Sequence, residues 1–290
     1  MVRMNDFPAI PHQLENKMSS LVELIRSMGR VAVAFSGGVD SAFLAEVCAH
    51  ALPASDVILL HLDTPFVGTP ERRSFERLAH DFSERGVEVV SIAHDPLACP
   101  SVSSNPADRC YHCKYAGLNA LAGEARRRGY NTLLEGSNSD DAGDYRPGMR
   151  AVREIGARSP LMGTGWFKDE ERELLRLWGR PVWDLPAGAC LATRIPCGQP
   201  ITTETLDIVR ACEDHLHACG LKQVRVRLDA GRARTSASPD DLELLPVRNG
   251  ERVLPQDALN AFVELGATSV DPVVRAYMHG ETSVESAPRA

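Results

Sequence analysis

Two serines, two glycines and an aspartate stand together in Ser36-Gly37-Gly38-Val39-Asp40-Ser41, directly after the apolar run Val31-Ala32-Val33-Ala34-Phe35. Glycine reaches backbone angles closed to other residues, so this loop can fold tightly enough for successive N–H groups to converge on one anion. Ser36 and Ser41 add hydroxyls, and a helix beginning near Asp40 aims the positive end of its dipole at the same point. The pyrophosphate of a nucleotide suits such a cradle. No Gly-Lys-Ser/Thr follows, and the third glycine of the dinucleotide fingerprint is missing, so both familiar nucleotide loops are excluded.

A second cluster, Glu135-Gly136-Ser137-Asn138-Ser139-Asp140-Asp141, follows the apolar Thr132-Leu133-Leu134. Gly136, Asn138 and Asp141 are candidate nucleotide contacts, and Asp40 with Asp141 a candidate oxygen-ligand pair for Mg²⁺. The alternative is an Asn/Asp turn that holds nothing. Arg146, in Asp144-Tyr145-Arg146-Pro147-Gly148, is either a phosphate clamp or an ordinary surface arginine.

Cys110 and Cys113 form a C-x-x-C pair in Asp108-Arg109-Cys110-Tyr111-His112-Cys113-Lys114, at the mouth of an expected helix, where thiol pKa values fall and thiolates ligate metals better. There is no second such pair, which argues against a four-cysteine zinc site. A third cysteine, Cys190, lies in Ala189-Cys190-Leu191-Ala192-Thr193-Arg194. Three thiolates suit three corners of a cubane iron–sulfur cluster with one iron left open. An inert pair beside a buried Cys190 is the competing reading. Cys48, Cys99, Cys197, Cys212 and Cys219 read as small apolar residues, with Cys197 in reserve. Arg194, Arg225 and Arg227 are candidates for an anionic substrate, with Glu213 on the helix between them. Alternation puts Arg225 and Arg227 on one face of a half-exposed strand, where two guanidinium groups can meet one phosphate. A solvated strand face is the bland alternative.

These residues need elements to position them. Leu14, Met18, Leu21, Val22 and Ile25 recur at helical spacing and stop at Gly29. Strands are expected at residues 31–35, 57–63, 87–92 and 132–136, with helices after Asp40, from Thr69 to about Arg85, from Tyr111 to Arg128 and from Lys168 to Trp178. That alternation predicts an α/β fold with a parallel sheet covered on both faces and ligands at the carboxyl ends of its strands. The rhythm changes near Asp184, where a helix over 203–219 and a strand over 224–228 follow. The expected organisation is a nucleotide domain over 1–184, a smaller α+β domain over 185–280 and a disordered tail over 281–290.

The 290 residues are 43% hydrophobic and 24% charged, a globular composition. A net charge of −7 gives no electrostatic footprint for nucleic acid and favours a small-molecule substrate. No apolar run approaches the roughly 20 residues of a membrane span. The first residues lack the apolar core of a signal peptide, so a cytoplasmic protein is expected, and eight cysteines there suggest metal or sulfur chemistry.

The loop at 36–41 resembles the PP-loop of ATP pyrophosphatases, which cut ATP between the α and β phosphates. Taken in order, the loop, the C-x-x-C segment, Glu135 to Asp141, Asp144 to Gly148, Ala189 to Pro196 and Val224 to Arg227 resemble the LarE family of ATP-dependent sulfur transferases. The resemblance implies an enzyme that uses ATP and Mg²⁺. Its substrate would be a nicotinate-derived pyridinium mononucleotide of nickel-pincer cofactor biosynthesis, whose carboxylate becomes an acyl-adenylate and then a thiocarboxylate. Arg194, Glu213, Arg225 and Arg227 fall on substrate or phosphate positions. In one branch a sacrificial cysteine supplies the sulfur; its position is Ala189 here. In the other branch three cysteines, matching Cys110, Cys113 and Cys190, hold a [4Fe–4S] cluster with a transferable sulfide. The family also implies a homo-oligomer. Asp271 to Tyr277 departs from the family pattern, and tRNA thiolation and ammonia-dependent amide synthesis remain rival uses of the loop.

Overall fold

A computed structural model describes residues 9–141, 147–186 and 188–277. Arg146 and the expected tail at 281–290 lie outside them. The chain forms two compact units. The first holds the chain up to Thr64 with Pro70–His94 and Cys110–Gly188; the second holds Pro65–Thr69, Asp95–Arg109 and the chain from Ala189. Two short segments from within the first 184 residues thus belong to the second unit. Among the described residues no helix is long and apolar enough to cross a membrane.

In the first unit, α1 (Glu15–Met28) leads to β1 (Val31–Ala34) through Gly29, whose φ of 70° lets the chain reverse. Then come α2 (Val39–Ala51), β2 (Val57–Asp63), α3 (Thr69–Glu84), β3 (Glu88–Ala93), α4 (Arg109–Arg127), β4 (Thr132–Leu134), α5 (Pro147–Ile155) and α6 (Lys168–Leu177). All pairings are parallel, in the order β3-β2-β1-β4. The expected α/β architecture is present, with strand ends shifted by a residue or two.

Alternation along the strands divides the core. Val31, Val33, Val57 and Leu59 face α1, α2 and Trp166, while Ala32, Ile58 and Leu60 face Leu118, Leu121 and Ala125 of α4. Covering both faces leaves the carboxyl edge as the ligand-accessible side. The strand order reverses between β1 and β4, so their following loops flank the crevice where open parallel sheets take ligands.

The loop after β1 is built on Gly37. Its φ is +83°, and a Cβ there would sit 2.7 Å from the backbone of Phe75. Phe75 stacks on His61 with ring centroids 3.6 Å apart, and His61 Nδ1 lies 2.9 Å from the Phe35 carbonyl oxygen. Burial lowers the His61 pKa below its usual value and keeps the ring neutral.

The second unit carries α7 (Thr203–Ala218), β5 (Val224–Asp229), β6 (Arg232–Ala237), α8 (Gln256–Glu264) and β7 (Ser269–Ala276). β5 and β6 are antiparallel, β6 and β7 parallel. β5 departs from the half-exposed strand predicted: Val224, Arg225, Val226 and Leu228 are all buried. Its arginine-bearing face is covered, in part by the Tyr277 ring that follows β7.

Replacing Gly37 by alanine combines an unfavourable φ with a backbone overlap and should cost at least about 1–3 kcal/mol in urea denaturation; wild-type stability would contradict this reading. The His61 ring should titrate below 6.5 by NMR. The unfolded chain then binds the extra proton first, so its contribution to stability is present above 6.5 and is lost as pH falls toward the lower folded pKa.

Candidate active site

Ser36, two residues beyond β1, and Ser41, in the first turn of α2, brace the loop between them. The Ser36 amide donates to Ser41 Oγ at 3.3 Å, Ser41 Oγ donates to the Gly38 carbonyl at 3.1 Å, and the Gly38 amide donates to Ser36 Oγ at 3.3 Å. Ser74 Oγ donates to the Gly37 carbonyl at 2.7 Å. These bonds hold the carbonyl and hydroxyl groups inward. Among the described residues no group accepts from the amides of Gly37, Val39, Asp40 or Ser41. These N–H groups stand at the positive end of α2, where an anion would meet them.

The loop after β4 closes against this turn. A Cβ on Gly136 would lie 3.1 Å from the Ser41 nitrogen, so glycine permits the close approach. Asn138 then reaches across: its Nδ2 donates to Asp40 Oδ1 at 3.3 Å and to Glu171 Oε1 at 3.1 Å. Asp141 Oδ2 accepts from the Asn138 amide, and Asp140 Oδ2 from the Lys168 amide. Glu135, at the head of this loop, is engaged elsewhere. Its carboxylate takes Lys114 Nζ at 3.1 Å, the Ser137 hydroxyl at 2.7 Å and the Ser159 hydroxyl.

Glu171 and Lys168 were missed by sequence reasoning. Glu171 is 0% exposed, and its Oε2 has no hydrogen-bond partner among the described residues. Burial, then the neighbouring Asp40 carboxylate, pushes its pKa up to about 9, so it is a neutral acid near pH 7. A signal was present, because Glu171 precedes the buried Leu174 and Leu175 by three and four residues, an acid on an apolar helix face. Lys168 Nζ lies 3.1 Å from Asp40 Oδ2.

Among the described residues no three His, Cys, Asp or Glu side chains gather to hold a metal ion by themselves. Magnesium needs fewer, since it commonly takes one or two carboxylates with phosphate oxygens and water completing its shell. Asp40, about a third exposed beside the amide cradle, fits that use.

Cys110 and Cys113 lie on the first turn of α4 in the first unit; Cys110 is exposed and Cys113 intermediate. Cys190 is exposed and belongs to the second unit, where Arg109 Nη1 approaches its sulfur at 4.0 Å. Cys48 and Cys212 are buried; burial raises both thiol pKa values, that of Cys212 to about 12, in keeping with inert apolar roles.

In the second unit Arg194 and Glu213 form a buried pair. Nε and Nη2 of Arg194 donate to the two Glu213 oxygens at 2.7 and 3.3 Å, and its Nη1 to Thr193 Oγ1. The Val226 amide also donates to Glu213, fixing that carboxylate against β5. Arg225 lies over the Tyr277 ring at 4.1 Å, and Arg227 donates to Ser236 Oγ at 3.4 Å. Burial, and then the charge of Arg194, lowers the Arg225 pKa. Arg194 is thus paired with Glu213, while Arg225 and Arg227 stand two residues apart on β5.

No family model matches the chain. It is 35% identical over 235 residues to an uncharacterised protein of Synechocystis sp., covering 79% of this chain and 84% of that one. It is 30% identical over 247 residues to pyridinium-3,5-bisthiocarboxylic acid mononucleotide synthase of Lactiplantibacillus plantarum, covering 85% and 86%. One subunit of the glutamine-hydrolysing GMP synthase of Methanosarcina barkeri is 27% identical over 63% of this chain and 62% of its own length.

Arg194→Met strands the buried Glu213 carboxylate and should cost about 3–5 kcal/mol in chemical denaturation, whereas Arg227→Met should cost much less. Equal, small effects of the two would contradict the buried-pair account.

Proposed function

Since the chain belongs to the LarE family of ATP-dependent sulfur transferases, we propose that it activates a carboxylate of a pyridinium mononucleotide with ATP and exchanges one oxygen for sulfur. The observation that carries the ATP half is the set of four unbonded amides at Gly37, Val39, Asp40 and Ser41. They would receive phosphate oxygens, and Asp40 and Asp141 are the residues that would hold Mg²⁺, which when bound would supply charge neutralisation for the pyrophosphate. The substrate carboxylate attacks the α-phosphorus, the bond to the bridging β-phosphate oxygen breaks, and an acyl-adenylate forms. A sulfur nucleophile then adds to the acyl carbon and AMP leaves with the former carboxylate oxygen. The chain contributes mainly position and electrostatics to the first step.

Arg225 and Arg227 are assigned to the mononucleotide phosphate. Arg194 has donors from all three guanidinium nitrogens committed to Glu213 and Thr193, so its part is to keep that site's frame.

The sulfur source is assigned to the three-cysteine route. By the resemblance, Ala189 falls on the sacrificial position, and thiolates at Cys110, Cys113 and Cys190 are the ligand type that a [4Fe–4S] cluster takes. When bound, such a cluster supplies an open iron able to carry sulfide. The acidic chain and its mononucleotide synthase relative support a small-molecule substrate over tRNA. The homo-oligomer and the cytoplasmic location belong to the same proposal.

Anaerobic reconstitution with iron and sulfide should give about four irons per chain, falling sharply in Cys110→Ala, Cys113→Ala and Cys190→Ala. Full cluster occupancy in Cys110→Ala would remove that ligand. The intact mass should be unchanged after one turnover; loss of one H₂S from the polypeptide would restore the sacrificial route, through Cys190 or Cys197.

A further inference from the structure

We propose that Tyr277 is a positioning residue for the mononucleotide phosphate: its ring holds the Arg225 guanidinium in the plane from which that group meets the phosphate. The inference rests on the assignment of Arg225 and Arg227 made above and adds a side chain from beyond the end of another strand.

Register puts these residues on one face of the sheet. Arg225 of β5 stands opposite Ser236 of β6, and Ser236 stands opposite Arg275 of β7. Paired residues share a face and the side-chain period is two, so Arg227, two residues from Arg225, and Tyr277, two beyond Arg275, belong to that same face. The Tyr277 amide donates to the Ala237 carbonyl at 2.7 Å, which carries the pairing with β6 one residue past the end of β7. The base of the ring is thereby anchored. From there it spans β6, where the small Ser236 side chain is buried, and reaches Arg225, whose Cζ lies 4.1 Å from the ring centroid.

Arg225 is 8% exposed, and burial, followed by the charge of Arg194, works against its cation. The negative face of an aromatic ring offsets part of that cost. Stacking engages the flat face of a guanidinium, whereas its N–H donors lie in the plane, the direction in which it meets an oxyanion. Arg227 is steadied differently, by donating to Ser236 Oγ at 3.4 Å. Long side chains lose rotamer freedom when they bind a ligand, so two arginines already held meet a phosphate at a smaller ordering cost.

Titration calorimetry with nicotinate mononucleotide tests this on wild type, Tyr277→Phe, Tyr277→Leu and Arg225→Met, with α,β-methylene-ATP and Mg²⁺ as a second ligand that reports intact folding. Removing the ring should weaken mononucleotide binding about 3–30-fold in Tyr277→Leu, while Tyr277→Phe, which keeps the ring, should stay within about twofold of wild type. The ATP analogue, assigned to the first unit, should bind both Tyr277 variants within about twofold of wild type. Unchanged mononucleotide affinity in Tyr277→Leu, an equal loss in Tyr277→Phe, or a matching loss of analogue affinity would overturn the inference. Wild-type protein that binds no mononucleotide, or Arg225→Met that binds it as tightly as wild type, would instead overturn the phosphate assignment beneath it.

Discussion

The nucleotide site depends on one carboxamide. Asn138 donates from the loop after β4 to Asp40 on α2 and to Glu171 on α6, joining three elements far apart in the chain. An amide nitrogen carries two protons, so it can serve two carboxyl groups at once, which a serine or an aspartate at this position cannot do. With Glu171 protonated, the arrangement brings one negative charge to the cradle, on Asp40, rather than two. The close approach at Gly136 is the steric side of the same constraint, because a Cβ there would press on the backbone of Asp40 and Ser41.

The loop at 36–41 was legible because its chemistry is local: two glycines, two serines and one helix start act within six residues. The four strands and their parallel sense followed from local patterning and alternation with helices. What escaped depends on distant pairing. Lys168 lies 128 positions from Asp40, and Glu171 33 positions from Asn138, so only the fold makes them neighbours. Arg225 shows the same limit in reverse. The alternation of Val224-Arg225-Val226-Arg227 argued for solvent, but Tyr277 and the contacts of β6 bury Arg225.

The two units divide the chemistry that the reaction requires. In the function proposed above, the first supplies backbone N–H donors for a polyphosphate, and the second supplies arginines, whose planar forks suit a terminal phosphate.

The central claim is that ATP is spent on making a carboxylate oxygen into a leaving group. It is tested most directly with substrate labelled with ¹⁸O in its carboxylate, incubated anaerobically with ATP, Mg²⁺ and the reconstituted protein, and followed by mass spectrometry of the nucleotide released. The account predicts AMP carrying one ¹⁸O for each thiocarboxylate formed, with pyrophosphate unlabelled. Unlabelled AMP, or ADP and phosphate in its place, would contradict it.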